Sequence, residues 1–263
     1  MNKDISHILQ GWPSQESEFS ARKIVGEDGV ELLQFRIDLG VLQMFFDGRP
    51  DGERPFGQPS LLDHLVKVTH AQPEVKPDER MWEELDREVM QFYHRRRALL
   101  ILGARLQNEG HSNEAVRCFR RAVRDADHNL QIMDFVKAHS SDEAYVAGHE
   151  RYRSFVLMHR TLAEAQIELI RQDPDEAIEC LKAGQAAIEE HHRQEGHGET
   201  GVEDPALSNL RIVEQQIRKQ HGIDQTLQEQ LARAIEEEQF EKAAELRDRL
   251  RRRRAAKPPH GGA

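Results

Sequence analysis

From residue 78 almost to the end, apolar side chains return at steps of three and four, the period of a helix with one buried face. The spacing predicts a helix from Asp78, a capping residue, to Asn108, where Gly110 stops it. Ser112 opens a second, with Val116, Phe119, Val123, Ala126, Leu130 and Met133 on one face. A third follows Ser141-Asp142 and carries Tyr152, Phe155, Met158, Leu162, Ala165 and Leu169. Asp173-Pro174 starts a fourth, with proline suited to the first helical position. Such stripes require helical partners, which successive antiparallel hairpins supply.

Strand character is confined to the first seventy residues. Leu33, Phe35, Ile37 and Leu39 alternate with Gln34, Arg36 and Asp38, predicting a β-hairpin turned at Asp28-Gly29, with one face buried and one wet. Gly48 to Gly57 reads as a loop rigidified by Pro50 and Pro55, and Ser60 as the cap of a short helix. Trp12-Pro13 is expected to plug a core.

The pattern divides the chain into an α+β region (1–70), a linker (71–77) and a helical region (78–192). A flexible linker (193–205) and a connecting helix (206–221) follow, then a terminal helical hairpin (222–256) and a disordered tail (257–263). The expected fold is therefore mainly α. In the hairpin, apolar residues fall at 227, 231, 234 and 235, then at 240, 243, 244, 246 and 250. The break between them, Glu236 to Gln239, permits only a tight connection, so two short helices fold back on each other with Asp224 as the expected cap.

The string Leu231, Ala234, Phe240, Glu241, Ala243, Ala244, Leu246, Arg247 and Asp248 resembles the UVR motif of the UvrB and UvrC excision-repair proteins and of McsA-type and Clp-type stress-proteolysis proteins. The resemblance implies a docking device without chemistry of its own, with those nine residues as the partner-binding set. It names three partner classes: another UVR-bearing protein, a Clp-type ATPase or kinase system, or a second copy. On the residues themselves, Ala243 and Ala244 allow close helix approach, Phe240 is expected to fill the turn end, and Arg247 and Asp248 are candidates for charge-assisted contacts. The first seventy residues resemble the N-terminal portion of bacterial UVR-motif proteins, which assigns them no activity.

The segment from Leu99 to Ala122 resembles a tetratricopeptide repeat, and Asn113 to Phe119 echoes Asp175 to Leu181. The interval is nearly twice the roughly 34 residues of that repeat, so the middle is repeat-like and implies no peptide groove.

Composition narrows the function classes. Charged residues make up 32% and aromatics 6%, with a mean hydropathy of -0.75, which suits long one-faced helices and not one thick core. A net charge of -10 argues against a chain-wide nucleic-acid surface. Arg251, Arg252, Arg253 and Arg254 remain as a local patch that could meet phosphates, although they equally complement a helix C-terminus. No apolar run approaches a membrane span and the first residues lack a secretory core, so a cytoplasmic location is expected.

The candidate chemistry is sparse. Arg95, Arg96 and Arg97 spread around their helix and form no phosphate-tracking stripe. His191, His192, Glu195 and His197 are the one metal-like cluster, but their spacing fits no zinc arrangement and points to a solvated linker. His139, His149 and His159 are read as structural, and Cys118 and Cys180 as reduced core residues. There is no Gly-x-x-x-x-Gly-Lys-Ser/Thr loop, too few cysteines for a zinc knuckle, and no supported nucleophile triad. Neither a catalytic activity nor a cofactor is expected. The reading is a protein-binding adaptor, with a repair accessory touching DNA through Arg251 to Arg254 as the alternative.

Overall fold

The computed structural model describes residues 5–12, 19–196 and 204–256. Pro13, His197 and the tail at 257–263 lie outside the described residues. After a short helix α1 (Ser6–Gln10), three strands form an antiparallel sheet in the order β1 (Ser20–Val25), β2 (Glu31–Ile37), β3 (Gly40–Phe45). The expected hairpin is its first half, with Gly29 at φ 79° in the turn. The third strand was not foreseen. Val41-Leu42 and Met44-Phe45 break the alternation, and the Gly/Pro loop follows at once.

Two expectations about the sheet are corrected. Leu39 was placed on the inner face, but β2 ends at Ile37 and Leu39 is exposed in the turn. Gln34 and Arg36 were placed on the wet face, yet both are buried. Hydrogen bonds satisfy them: Gln34 accepts from Arg22 Nε of the neighbouring strand at 2.8 Å, and Arg36 Nε donates to the Trp12 carbonyl outside the sheet at 3.0 Å. The inner residues Leu33 and Phe35 pack against Leu99, Leu102 and Phe119, so sheet and helices share one core.

Seven longer helices follow the sheet: α2 (Leu61–Ala71), α3 (Glu79–Asn108), α4 (Ser112–His139), α5 (Glu143–Glu150), α6 (Arg153–Ile170), α7 (Pro174–Gln194) and α8 (Pro205–His221). Side-chain caps stand where the sequence placed them at Ser60 and Asp78, and Asp173 caps the helix expected to start at Asp173-Pro174. Ser112 opens α4 as expected, behind an N-cap, His111, that makes no side-chain bond. The expected third helix is two, α5 and α6, interrupted at Arg151-Tyr152. Gly148, a poor helix former, lies in the last turn before the break. Of the stretch expected as a linker from 193 to 205, Arg193 and Gln194 belong to α7, while Asp204 caps α8, which starts at Pro205.

Each long helix packs on the next, α3 on α4, α4 on α6, α6 on α7 and α7 on α8. Short links between α3 and α4 and between α6 and α7 make those pairs antiparallel. Gly184 lets α7 approach α6 so closely that a Cβ there would collide with Thr161.

The three arginines of α3, spread around the helix as expected, meet three different surroundings. Arg95 is wholly buried. It grips Asp125 of α4 with two parallel bonds of 2.8 and 2.7 Å, and it donates to the carbonyls of Phe45 and Gly48. Arg97 stacks on Phe19 at 4.1 Å. Arg96, also buried, has no carboxylate within ion-pair distance among the described residues. Nearby, buried Glu88 accepts from the backbone N–H groups of Leu61 and Leu62 at the start of α2, where the helix dipole favours a carboxylate. The Gly48–Gly57 loop is pinned by Arg49, which is buried and paired with Asp51 and Glu84. Among the described residues, no helix is long and apolar enough to cross a membrane.

Candidate functional site

The terminal hairpin consists of α9 (Leu227–Glu236) and α10 (Phe240–Ala256). Its start is fixed by Thr226, not by Asp224 as the sequence suggested. Thr226 Oγ1 accepts from the Glu229 N–H at 3.1 Å, and the Glu229 carboxylate accepts from the Thr226 N–H at 2.7 Å. The Thr-x-x-Glu spacing was present in the chain, but Asp224 before an apolar run was the more familiar signal. Between the helices the backbone reverses at Glu238, with φ 55° in the left-handed region. The Gln239 N–H then closes on the Ala234 carbonyl at 2.8 Å and ends α9.

Very little apolar matter holds the two helices together. Ala234, Ala243 and Leu246 are buried, with Leu227 and Leu231 packed at the edge. This cluster is separate from that of α6, α7 and α8. Polar contacts fasten the hairpin to the bundle instead. Glu229 accepts from Arg218 of α8 at 2.7 Å and from Lys182 of α7 at 2.9 Å, and buried Thr226 bonds to Glu179. Burial pushes the Glu229 carboxyl up, but the bonds from Arg218, Lys182 and the Thr226 backbone outweigh it and hold the pKa down at about 2. At the far end, Arg253 reaches Asp173 and Asp175 at the start of α7, the latter at 2.7 Å.

The motif residues fall into three groups. Ala234, Ala243 and Leu246 face inward, Leu231 and Ala244 are half-buried, and Glu241 is exposed. Phe240 was expected to fill the turn end. It is 70% exposed instead, and the turn closes through backbone bonds without it. Ile235 is exposed as well. Leu231, Ile235 and Leu250 line an open groove along the hairpin, with Arg247 and Arg251 at its rim. Arg247 and Asp248 bond weakly to each other at 3.4 Å, and both side chains are at least half exposed.

Residues 225–255 match the UvrB/uvrC motif. No curated protein and no solved structure matches the chain. The matched stretch is the hairpin from just before its capping box to nearly the end of α10. The UVR motif is in general a protein-interaction module, so the UVR hairpin is where this chain carries a recognised binding element.

Of the arginine patch, Arg253 is committed to Asp173 and Asp175, while Arg251 and Arg252 are exposed. The Arg254 side chain lies outside the described residues. The histidine cluster is built differently from the expected solvated linker. His191 and His192 sit in the last turn of α7, and His191 meets Glu195 and Glu150 so that their ligand atoms lie within 4.8 Å of one another. Arg153 already holds Glu150 in two bonds, and Lys137 holds Glu195 at 2.8 Å, which makes the group an ion network. His192 bonds to Asp204 at 2.8 Å. Burial pushes the Cys118 thiol up to about 11, so it is protonated and unreactive near neutrality.

Proposed function

We propose that this chain is a non-catalytic adaptor that docks a protein partner through its UVR hairpin. The observation that carries the reading is the placement of Ile235 and Phe240, exposed on a hairpin whose own core is three small buried contacts. Large apolar side chains left in water stabilise a complex when covered, and Ile235 also lines the open groove. The charges suggest what covers them. Glu236, Glu237 and Glu238 crowd the turn, and Arg251 and Arg252 stand at the other end of α10. A second helical hairpin of the same kind, laid antiparallel, sets acid against base at both ends and apolar groove against apolar groove. That partner is another UVR-bearing protein or a second copy; a Clp-type ATPase or kinase system would enter through its own UVR-bearing subunit. A patch this small gives a weak, transient association.

The test compares the full-length chain with Ile235→Asp, with Phe240→Asp and with the chain ending at Gly222, in a lysate pull-down and in sedimentation for self-association. Loss of the same partner, or of the dimer, in all three supports the reading. Equal recovery by all four chains defeats it.

A second reading, direct contact with DNA in excision repair, rests on the exposure of Arg251 and Arg252. With Arg253 engaged elsewhere, the phosphate footprint is small. Gel-shift binding that falls steeply with salt, and vanishes on replacing Arg251 and Arg252 by serine, would favour it.

A further inference from the structure

A cavity of about 810 Å³ opens between α3, α4, α5 and the start of α6, far from any use by the UVR hairpin. Its size is in the usual range for small-molecule sites. Most of its wall is apolar: Met90 and Tyr93 of α3, Met133 of α4, Tyr152 just before α6, and Phe155 and Val156 of α6. Met90, Tyr152 and Phe155 remain substantially exposed, which leaves an apolar mouth at the break between α5 and α6.

Two buried polar groups in that wall are unsatisfied. Arg96 is 1% exposed, and its Nη1 nitrogen has no hydrogen-bond partner. Its Nε donates to His159 Nδ1 at 3.3 Å, and Tyr93 lies beside the guanidinium with its ring centroid at 5.8 Å. His159 cannot neutralise it. Burial and the charges of Arg96 and Arg97 push that imidazole down to about 3, so it is neutral. Burial lowers Arg96 as well, to about 10, although Asp125, beyond ion-pair distance, pulls it up, and the group remains a cation at neutral pH. Asn129, equally buried, donates from Nδ2 to the Val89 carbonyl at 3.3 Å and leaves Oδ1 without a donor.

A buried charge without a counter-charge is destabilising by several kcal/mol in general, and folded proteins rarely keep one. The neighbouring Arg95 shows the ordinary solution, a bidentate carboxylate. Arg96 lacks one and instead borders a cavity. Asp86, the carboxylate in the cavity wall, is already taken by Tyr145 Oη at 2.6 Å and His149 Nε2 at 3.0 Å.

We propose that this cavity binds a small amphipathic organic acid, whose anionic group pairs with Arg96 and whose apolar body lies against Met90, Tyr152 and Phe155. A hydrogen-bond donor on the ligand, near the acid group, satisfies Asn129 Oδ1. The anion supplies the directly bonded partner that Arg96 Nη1 lacks, and the apolar body covers the exposed mouth. The break between α5 and α6 is thereby explained as part of the site, since it sets Tyr152 and Phe155 at the rim.

The test uses two fluorescent probes with the same body. 8-Anilinonaphthalene-1-sulfonate carries an anion and an N–H donor, whereas N-phenyl-1-naphthylamine lacks the sulfonate. The full-length chain is expected to bind the sulfonate at one saturable site, about tenfold or more tighter than the neutral probe, the usual size of a charge-assisted bond. Arg96→Gln abolishes that preference and leaves the neutral probe within about twofold. Gly148→Leu provides a second arm. Gly148 lines the cavity, its Cβ direction is open, and leucine is the better helix former, so this variant folds and fills the site. It weakens both probes. No saturable sulfonate binding, no preference over the neutral probe, or binding unaffected by Gly148→Leu overturns the proposal. Should circular dichroism show Arg96→Gln to be unfolded, the contrast between probes on the native chain and the Gly148→Leu arm decide it alone.

Discussion

The α3–α4 interface and the UVR hairpin are both helical pairs, but they treat charge and apolar surface in opposite ways. In the bundle the ions are inside: Arg95 and Asp125 are sealed at 0% exposure, and Leu99, Leu102 and Phe119 are covered around them. In the hairpin the ions are outside and serve as fastenings, while Ile235 and Phe240 face water. Around Arg95 and Asp125 the pair satisfies its charges internally and needs no other molecule there. A pair that keeps large apolar groups exposed, on a polar tether, is complete only when something covers it. The contrast separates the scaffold from the part that acts on a partner.

The strongest way to break the contrast is to remove the buried counter-charge. Asp125→Ala leaves Arg95 charged and sealed, and is expected to cost about 3–5 kcal/mol in urea unfolding of the whole chain. A loss under about 1 kcal/mol would mean that water reaches Arg95 and that the two pairs are less different than they look.

Close packing offers the next test. Gly184→Ala pushes a methyl into Thr161 and should cost about 1–3 kcal/mol, visible as a lower melting temperature. The hairpin counterpart is Leu246→Ala. Its thin core can collapse around the loss, so about 2 kcal/mol is expected, confined to local opening. Hydrogen exchange should rise across residues 227–256 while the global transition stays in place. A shifted global transition would show that hairpin and bundle unfold as one.

Much of this contrast could be read in the chain, and the unread part has a physical cause. Helix periodicity, the caps at Ser60 and Asp78, the helix start at Asp173-Pro174, and the motif string from Leu231 to Asp248 are local patterns, set by residues a few positions apart. The third strand was hidden because Met44 and Phe45 both look apolar, though only Met44 turns inward. Arg95–Asp125, Arg253–Asp173 and the cavity at Arg96 are pairings across tens of residues. Periodicity cannot report which arginine finds a carboxylate and which does not. The exposure of Phe240 was missed for a related reason, because a phenylalanine beside a turn is packed or bare depending on what faces it.

The polar tether can be weakened by acid. Glu229 has its folded pKa depressed to about 2 from an ordinary value of 4.5, so its contribution is present above 4.5 and is lost as pH falls through about 2. Its side chain is a quarter exposed, and after solvent screening the contribution is on the order of 1 kcal/mol. Exchange in α9, corrected for intrinsic rates, should increase over that window in the native chain and stay flat in Glu229→Gln. A flat profile in both chains would place the fastening elsewhere, at Arg253.

The smallest effect comes from the turn and separates stability from recognition. Glu238 holds φ 55°, which an L-residue adopts at a cost and glycine adopts freely. Glu238→Gly also frees the unfolded chain, so the net gain is about 0.5 kcal/mol, read as slower exchange across the hairpin. A glycine at this position is the ordinary way to end a helix, and the carboxylate there has a reason to persist only if something outside the hairpin uses it. If antiparallel docking sets the acidic turn against Arg251 and Arg252 of a second hairpin, Glu238→Gly stabilises the hairpin and weakens its association at once. Tighter folding with unchanged association would remove Glu238 from the docking surface and leave the apolar groove to act alone.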